Sequence, residues 1–142
     1  MLVKEIMNKE IVSVLPEDTA DCAARLMSRH NIGALPVCTE DGKLCGIVTD
    51  RDIVLRCVAT EKDPKNEKVR DIMSKSVVST TPTDSTNTAS RMMAQARIRR
   101  LPVLMDGKVV GMVALGDLAV RPACDMEAAQ ALSEISSNLH VV

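Results

Sequence analysis

Residues 35–54 read LPVCTEDGKLCGIVTDRDIV and residues 101–119 read LPVLMDGKVVGMVALGDLA, the same pattern with one residue dropped. In the first copy Leu35–Cys38 and Leu44–Val48 are apolar, β-rich runs separated by Glu40-Asp41-Gly42, the pattern of a hairpin. Asp106-Gly107 repeats the turn. With Gly42 left-handed in a three-residue loop, Cys38 pairs with Leu44 and Val37 with Cys45. Side chains alternate along a strand, so Cys38 and Cys45 fall on opposite faces and no disulfide is expected between them. Each hairpin then runs into a helix, from about Asp50 to Ala59 and from about Leu115 to Val120.

The duplication continues upstream. Residues 3–37 align with 69–103 at an offset of 66, with 15 identities in 35 positions. Four of six prolines and four of six glycines fall at matched positions, so the halves share turns and not merely composition. Ile11–Val14 and Val77–Thr80 are short apolar runs ending at a proline and read as strands. Asp18 or Thr19 caps a helix with Ala20, Ala23, Ala24 and Met27 at helical spacing; its counterpart starts near Asp84-Ser85 and carries Ala89, Met92, Met93 and Ala96. The order is strand, helix, strand, strand, helix, twice, an α/β (α+β) arrangement. Neither half alone, at about 50 residues, buries much core. The expectation is two repeats packed sheet against sheet about a pseudo-two-fold. They span residues 1–59 and 69–120, joined by the charged linker 60–68, with residues 121–142 forming a C-terminal amphipathic helix and tail. Its apolar stripe is Ala128, Ala129, Leu132, Ile135 and Leu139. Lacking a basic face, it is expected to pack on the domain or a dimer partner rather than on a membrane.

Composition removes several function classes. The chain has 142 residues, a net charge of −1, and no Phe, Tyr or Trp, so there is neither a basic surplus nor an aromatic platform for nucleic acid. Five cysteines (22, 38, 45, 57 and 124) include no C-x-x-C pair and accompany only His30 and His140, which predicts no metal site. The odd cysteine count, with no apolar leader after Met1, points to the cytoplasm. No Ser/His/Asp, Cys/His or P-loop set is present, and no enzyme is expected.

The segment Gly46-Ile-Val-Thr49-Asp-Arg-Asp52 places Thr49 at a helix N-cap and Asp52 three residues on. One reading is a capping box. The other is a ligand site, with phosphate on the helix N–H groups and ribose hydroxyls on the carboxylate. The second copy keeps Asp117 but has Ala114 in place of the hydroxyl, and Gly116 weakens its helix. Arg97, Arg99 and Arg100 precede the second Leu-Pro-Val, where the first copy has Asn31, Gly33 and Ala34.

Leu-Pro-Val before the hairpin and Gly-x-x-Thr-x-x-Asp after it resemble the CBS domain family. The pair is similar to a Bateman module, and His30-Asn-Ile-Gly-Ala-Leu-Pro-Val37 looks most like small stand-alone two-CBS proteins. The resemblance implies a regulatory module that binds an adenine nucleotide (AMP, ADP or ATP), less often S-adenosylmethionine, between repeats. Such a module signals through conformational or dimer change in a homodimer, without a required cofactor and without nucleic acid or membrane as partners. It implies a stronger cleft in which Thr49 and Asp52 meet Arg99 and Arg100, with Val77, Val78 and Ile98 beside the adenine. A weaker cleft would hold Asp117 opposite Gly33 and Ala34. The alternative is a stress-associated interaction or thiol redox-sensing protein with no bound nucleotide.

Overall fold

The computed structural model describes residues 1–120 and 125–136. Helices α1 (Val3–Ile6) and α2 (Ala20–His30) precede the hairpin β1 (Ala34–Cys38) and β2 (Leu44–Thr49). Helix α3 (Asp50–Ile53) continues as a π-helical turn, Val54–Val58, closed by an Ala59 N–H donating to the Val54 carbonyl at 2.8 Å. The pattern then recurs as α4 (Val69–Ile72), α5 (Thr86–Ala96), β3 (Arg100–Met105), β4 (Lys108–Ala114) and α6 (Leu115–Ala119), followed by α7 (Asp125–Ser136). Each hairpin is a separate two-stranded antiparallel sheet.

Two compact units emerge, and they do not follow the linear halves. The first unit is Val12–Val77 with Gly107–Val109; the second is Met1–Ile11, Val78–Asp106 and the described residues from Val110. Each unit therefore takes its short leading helix from the other half of the sequence. In the first unit the Val69 N–H donates to Asp18 at 2.8 Å and the Arg70 N–H to Pro16 at 3.0 Å. In the second, the Val3 N–H donates to Asp84 at 2.9 Å and the Lys4 N–H to Pro82 at 3.0 Å. The linker is exposed yet anchored: the carbonyls of Pro64 and Glu67 accept the Asp21 and Ala20 N–H groups at 2.9 and 2.8 Å. That satisfies donors at the start of α2 that have no intrahelical partner.

The core is likewise double. In the first unit Leu35, Val37 and Val48 pack with Met27, Cys57, Val69 and Ile72; in the second, Leu101, Val103 and Val113 pack with Val3, Ile6, Met93 and Leu118. Thr19 caps α2, its hydroxyl accepting the Cys22 N–H at 3.1 Å, and Ser85 caps α5 by accepting from Thr88 at 3.0 Å. Both helices end in a left-handed residue, Asn31 (φ 54) and Arg97 (φ 55).

Three details differ from the sequence expectation. The first strand of each repeat is a single parallel bridge, Val14 to Val37 and Thr80 to Val103. The Val14 N–H donates to Pro36 and the Cys38 N–H donates to Val14, but the next ladder bonds would need N–H groups on Pro16 and Pro36. Proline has none. Pro82 and Pro102 end the Thr80 bridge the same way. The first hairpin pairs Cys38 with Leu44 but Val37 with Gly46, leaving Cys45 as the extra residue of a β-bulge. Lastly, α7 packs on α5 and α6 through Ala128, Ala131 and Ile135. Ala129 and Leu132 sit on its exposed flank, Leu132 at 44% exposure. Leu139 and Cys124 lie outside the described residues.

Candidate functional site

In the first unit, β2 hands directly over to α3 at Thr49. The Thr49 hydroxyl accepts the Asp52 N–H at 3.1 Å, and the Asp52 carboxylate accepts the Thr49 N–H at 2.9 Å. The capping box is complete, and such a cap contributes about 0.5–2 kcal/mol. Asp52 is buried, 8% exposed, and its second oxygen lies 3.9 Å from Arg56 Nε. Arg56 also donates to the Ile72 carbonyl at 3.1 Å, tying this carboxylate to the end of α4. The segment before β1 closes against the same corner: the Asp50 N–H donates to Gly33 at 2.9 Å and Ala34 pairs with Thr49. A β-carbon on Gly33 would stand 2.9 Å from Asp50 Oδ2, so the corner admits only glycine without adjustment.

The second unit repeats the corner with different chemistry. The Leu115 N–H donates to Arg99 at 2.8 Å, and the Asp117 carboxylate accepts the Ala114 N–H at 3.0 Å. Ala114 has no side-chain oxygen, so only half of the box forms. Around this corner lies a cavity of about 620 Å³ that is wide open to solvent. Arg99 and Arg100 line it from the start of β3, Gly116 and Asp117 from α6, and Ala128, Ala129 and Leu132 from α7. Two arginines, a carboxylate at a helix start and an aliphatic flank around one cavity suit an anionic ligand with a hydroxylated and an apolar part.

The structure thus groups the sequence-derived residues by unit. Arg99 and Arg100 share a cavity with Asp117, while Thr49 and Asp52 share a corner with Gly33 and Ala34. Ile98 packs against the second core, Val78 is 37% exposed, and Val77 is half-buried in the first unit; none of the three lines the cavity. Sequence reasoning missed two participants. Arg56 stands one helical turn after Asp52, a spacing visible in the sequence, whereas Ala129 and Leu132 of α7 stood on the apolar stripe with nothing in the sequence to mark them as lining a cavity rather than the core. Among the described residues, no group of His, Cys, Asp or Glu is placed to hold a metal, and no helix is long and apolar enough to cross a membrane. The thiols of Cys22, Cys38, Cys45 and Cys57 are free. Burial, reinforced by neighbouring Cys45, pushes the Cys38 thiol up to about 11, and burial first of all raises Cys22 and Cys57.

Known proteins resemble this chain along nearly its whole length. The family profile for the CBS domain matches residues 3–58 and 69–122. The CBS domain-containing protein YhcV of Bacillus subtilis (strain 168) is 45% identical over 139 residues, covering 97% of this chain and 98% of that protein. Hypoxic response protein 1 of Mycobacterium tuberculosis is 34% identical over 116 residues, covering 82% and 81%. Among solved structures, Hypoxic Response Protein I with two coordinated zinc ions superposes with a TM-score of 0.78 at 32% identity, covering 84% of this chain and 97% of that one. The CBS domain pair of protein MJ0100, in complex with 5-methylthioadenosine and S-adenosyl-L-methionine, gives a TM-score of 0.76 at 30% identity, covering 84% and 93%.

Proposed function

The chain belongs to the CBS domain family and carries two such domains, and on that premise we propose that it is a non-catalytic regulatory module that binds an adenosine-containing ligand. The observation that carries this reading is the cavity of the second unit, which Arg99, Arg100 and Asp117 all line. The arginines take the anionic group through charge-assisted bonds, and Asp117 accepts hydrogen bonds from ribose hydroxyls. Thr49 and Asp52 form the corresponding corner of the first unit, with a hydroxyl that the second lacks and without its arginines, so the two corners differ in ligand preference. The ligands of MJ0100, both adenosine derivatives, support the class, and AMP, ADP and ATP are the charged members to which the arginines are matched. Binding shifts the population of one arrangement of a cytoplasmic homodimer, which a partner protein reads.

Thiol redox sensing is the weaker reading. Cys22, Cys38 and Cys57 have raised pKa values, and a reactive sensor needs thiolate.

Equilibrium dialysis tests the proposal. Without Trp or Tyr the protein scarcely absorbs in the near ultraviolet, so adenine is read directly. AMP, ADP, ATP, 5-methylthioadenosine and S-adenosylmethionine are compared on the unsubstituted protein, Asp117→Ala and Asp52→Ala. Saturable binding weakened by a substitution that leaves the circular dichroism unchanged supports the reading. No binding by any of the five, or affinities indifferent to both substitutions, overturns it.

A further inference from the structure

Helix α7 lies beyond residues 3–58 and 69–122, which the CBS profile matches, yet it forms a flank of the second unit's cavity. Two of its faces do different work. Ala128, Ala131 and Ile135 are buried against α5 and α6. Ala128, Ala129 and Leu132 line the cavity in which Arg99, Arg100 and Asp117 stand. Leu132 is 44% exposed and Ala129 is exposed, so neither is needed to close the core.

We propose that α7 is the cavity's ligand-contacting wall and its occupancy sensor, with Ala129 and Leu132 packing on the base or another apolar part of an anionic nucleoside ligand. This rests on the reading of the cavity as a ligand site. Chemistry orders the ligand: an anionic group belongs at Arg99 and Arg100, hydroxyls belong at Asp117, and the remaining apolar part meets the aliphatic flank of α7. The protein has no aromatic side chain, so a base must be gripped by aliphatic contact. The helix is also suited to respond. Its buried face, Ala128, Ala131 and Ile135, is seated against α5 and α6. A ligand packed against the adjacent flank adds contacts that only the docked helix makes, and so stabilises the docked state.

The absence of aromatic residues makes the test direct. Leu132→Trp gives the full chain a single fluorophore on the cavity wall, titrated with ADP as the probe while dialysis measures binding to the same protein. The expected result is a saturable emission shift with the dialysis affinity, abolished when Arg99→Ala and Arg100→Ala are added. In the unsubstituted protein, ADP is expected to slow amide exchange across residues 125–136 by about tenfold or more. ADP binding by dialysis with unchanged exchange over 125–136 overturns the role of α7 and leaves the ligand reading standing. No binding by dialysis of ADP or of any of the other four adenosine ligands overturns both.

Discussion

Gly46 lies directly against Ser74: a β-carbon on Gly46 would stand 2.6 Å from the Ser74 carbonyl oxygen and 2.9 Å from Met73 Sδ. The contact is part of the exchange of leading segments, because the Ile47 and Ser74 backbones bond each other at 3.0 and 2.9 Å. Gly111 answers it in the second unit, where a β-carbon would meet Met7 Sδ at 2.7 Å and the Asn8 carbonyl oxygen at 3.1 Å. A thioether yields more readily than a backbone carbonyl. Gly46→Ala is therefore expected to destabilise the protein by about 1–3 kcal/mol, and Gly111→Ala by less. Urea unfolding of both variants checks the order.

Arg97 ends α5 in the left-handed conformation, at φ 55 and ψ 45, where a side chain costs about 1–2 kcal/mol relative to glycine. Asn31, at the matched end of α2, tolerates that region better. Arg97→Gly is expected to raise the urea midpoint without changing the slope, and Asn31→Gly to raise it less.

The Asp84 carboxylate accepts the Thr80 hydroxyl at 2.7 Å and the Thr81 N–H at 2.9 Å. These bonds, the Thr80 hydroxyl foremost, hold its carboxyl below the usual range, against an opposing effect of burial. Its contribution to stability is complete above the unfolded pKa of about 3.9 and is lost as pH falls through the lower folded value. Solvent screening keeps it to about 1 kcal/mol or less. Asp84→Asn is expected to lower stability at pH 7 and to flatten the acid limb of a stability–pH profile. Asp18→Asn is expected to lower stability at pH 7 by less, since Val14 stands where Thr80 does and, among the described residues, only the Leu15 N–H, at 2.8 Å, bonds the Asp18 side chain.

Cys38, buried and with its thiol near 11, is expected to alkylate far more slowly than half-exposed Cys45 at pH 8. Its rate continues to rise as pH approaches about 11. Peptide mass mapping after timed iodoacetamide treatment separates the two sites. Equal rates at pH 8 contradict the burial of Cys38.

Local rules carried most of the fold into the sequence. Asp41-Gly42 and Asp106-Gly107 specified the hairpins, and Gly42 and Gly107 have φ of 89° and 79°. Thr49 and Asp52 specified their own capping box. What the sequence hid was non-local. Pro36 ends a ladder only because Val14 comes to lie beside it. The exchange of leading helices leaves no local trace, since Val3 and Val69, or Ile6 and Ile72, satisfy either partner equally well. The surroundings of Arg99 are equally non-local. Arg99 is placed beside Asp117 by a backbone bond to Leu115 within its own unit, which no spacing along the chain announces.

The central claim is that the second unit's cavity binds an anionic nucleoside ligand, with the charge on Arg99 and Arg100 and the sugar on Asp117. It is tested most directly by dialysing ADP and uncharged adenosine against the unsubstituted protein, the Arg99→Ala/Arg100→Ala variant and Asp117→Ala. Removing the arginines is expected to weaken ADP by more than about tenfold while leaving adenosine within about twofold, and Asp117→Ala to weaken both. Equal loss of ADP and adenosine on removing the arginines, or no loss of either with Asp117→Ala, would contradict it.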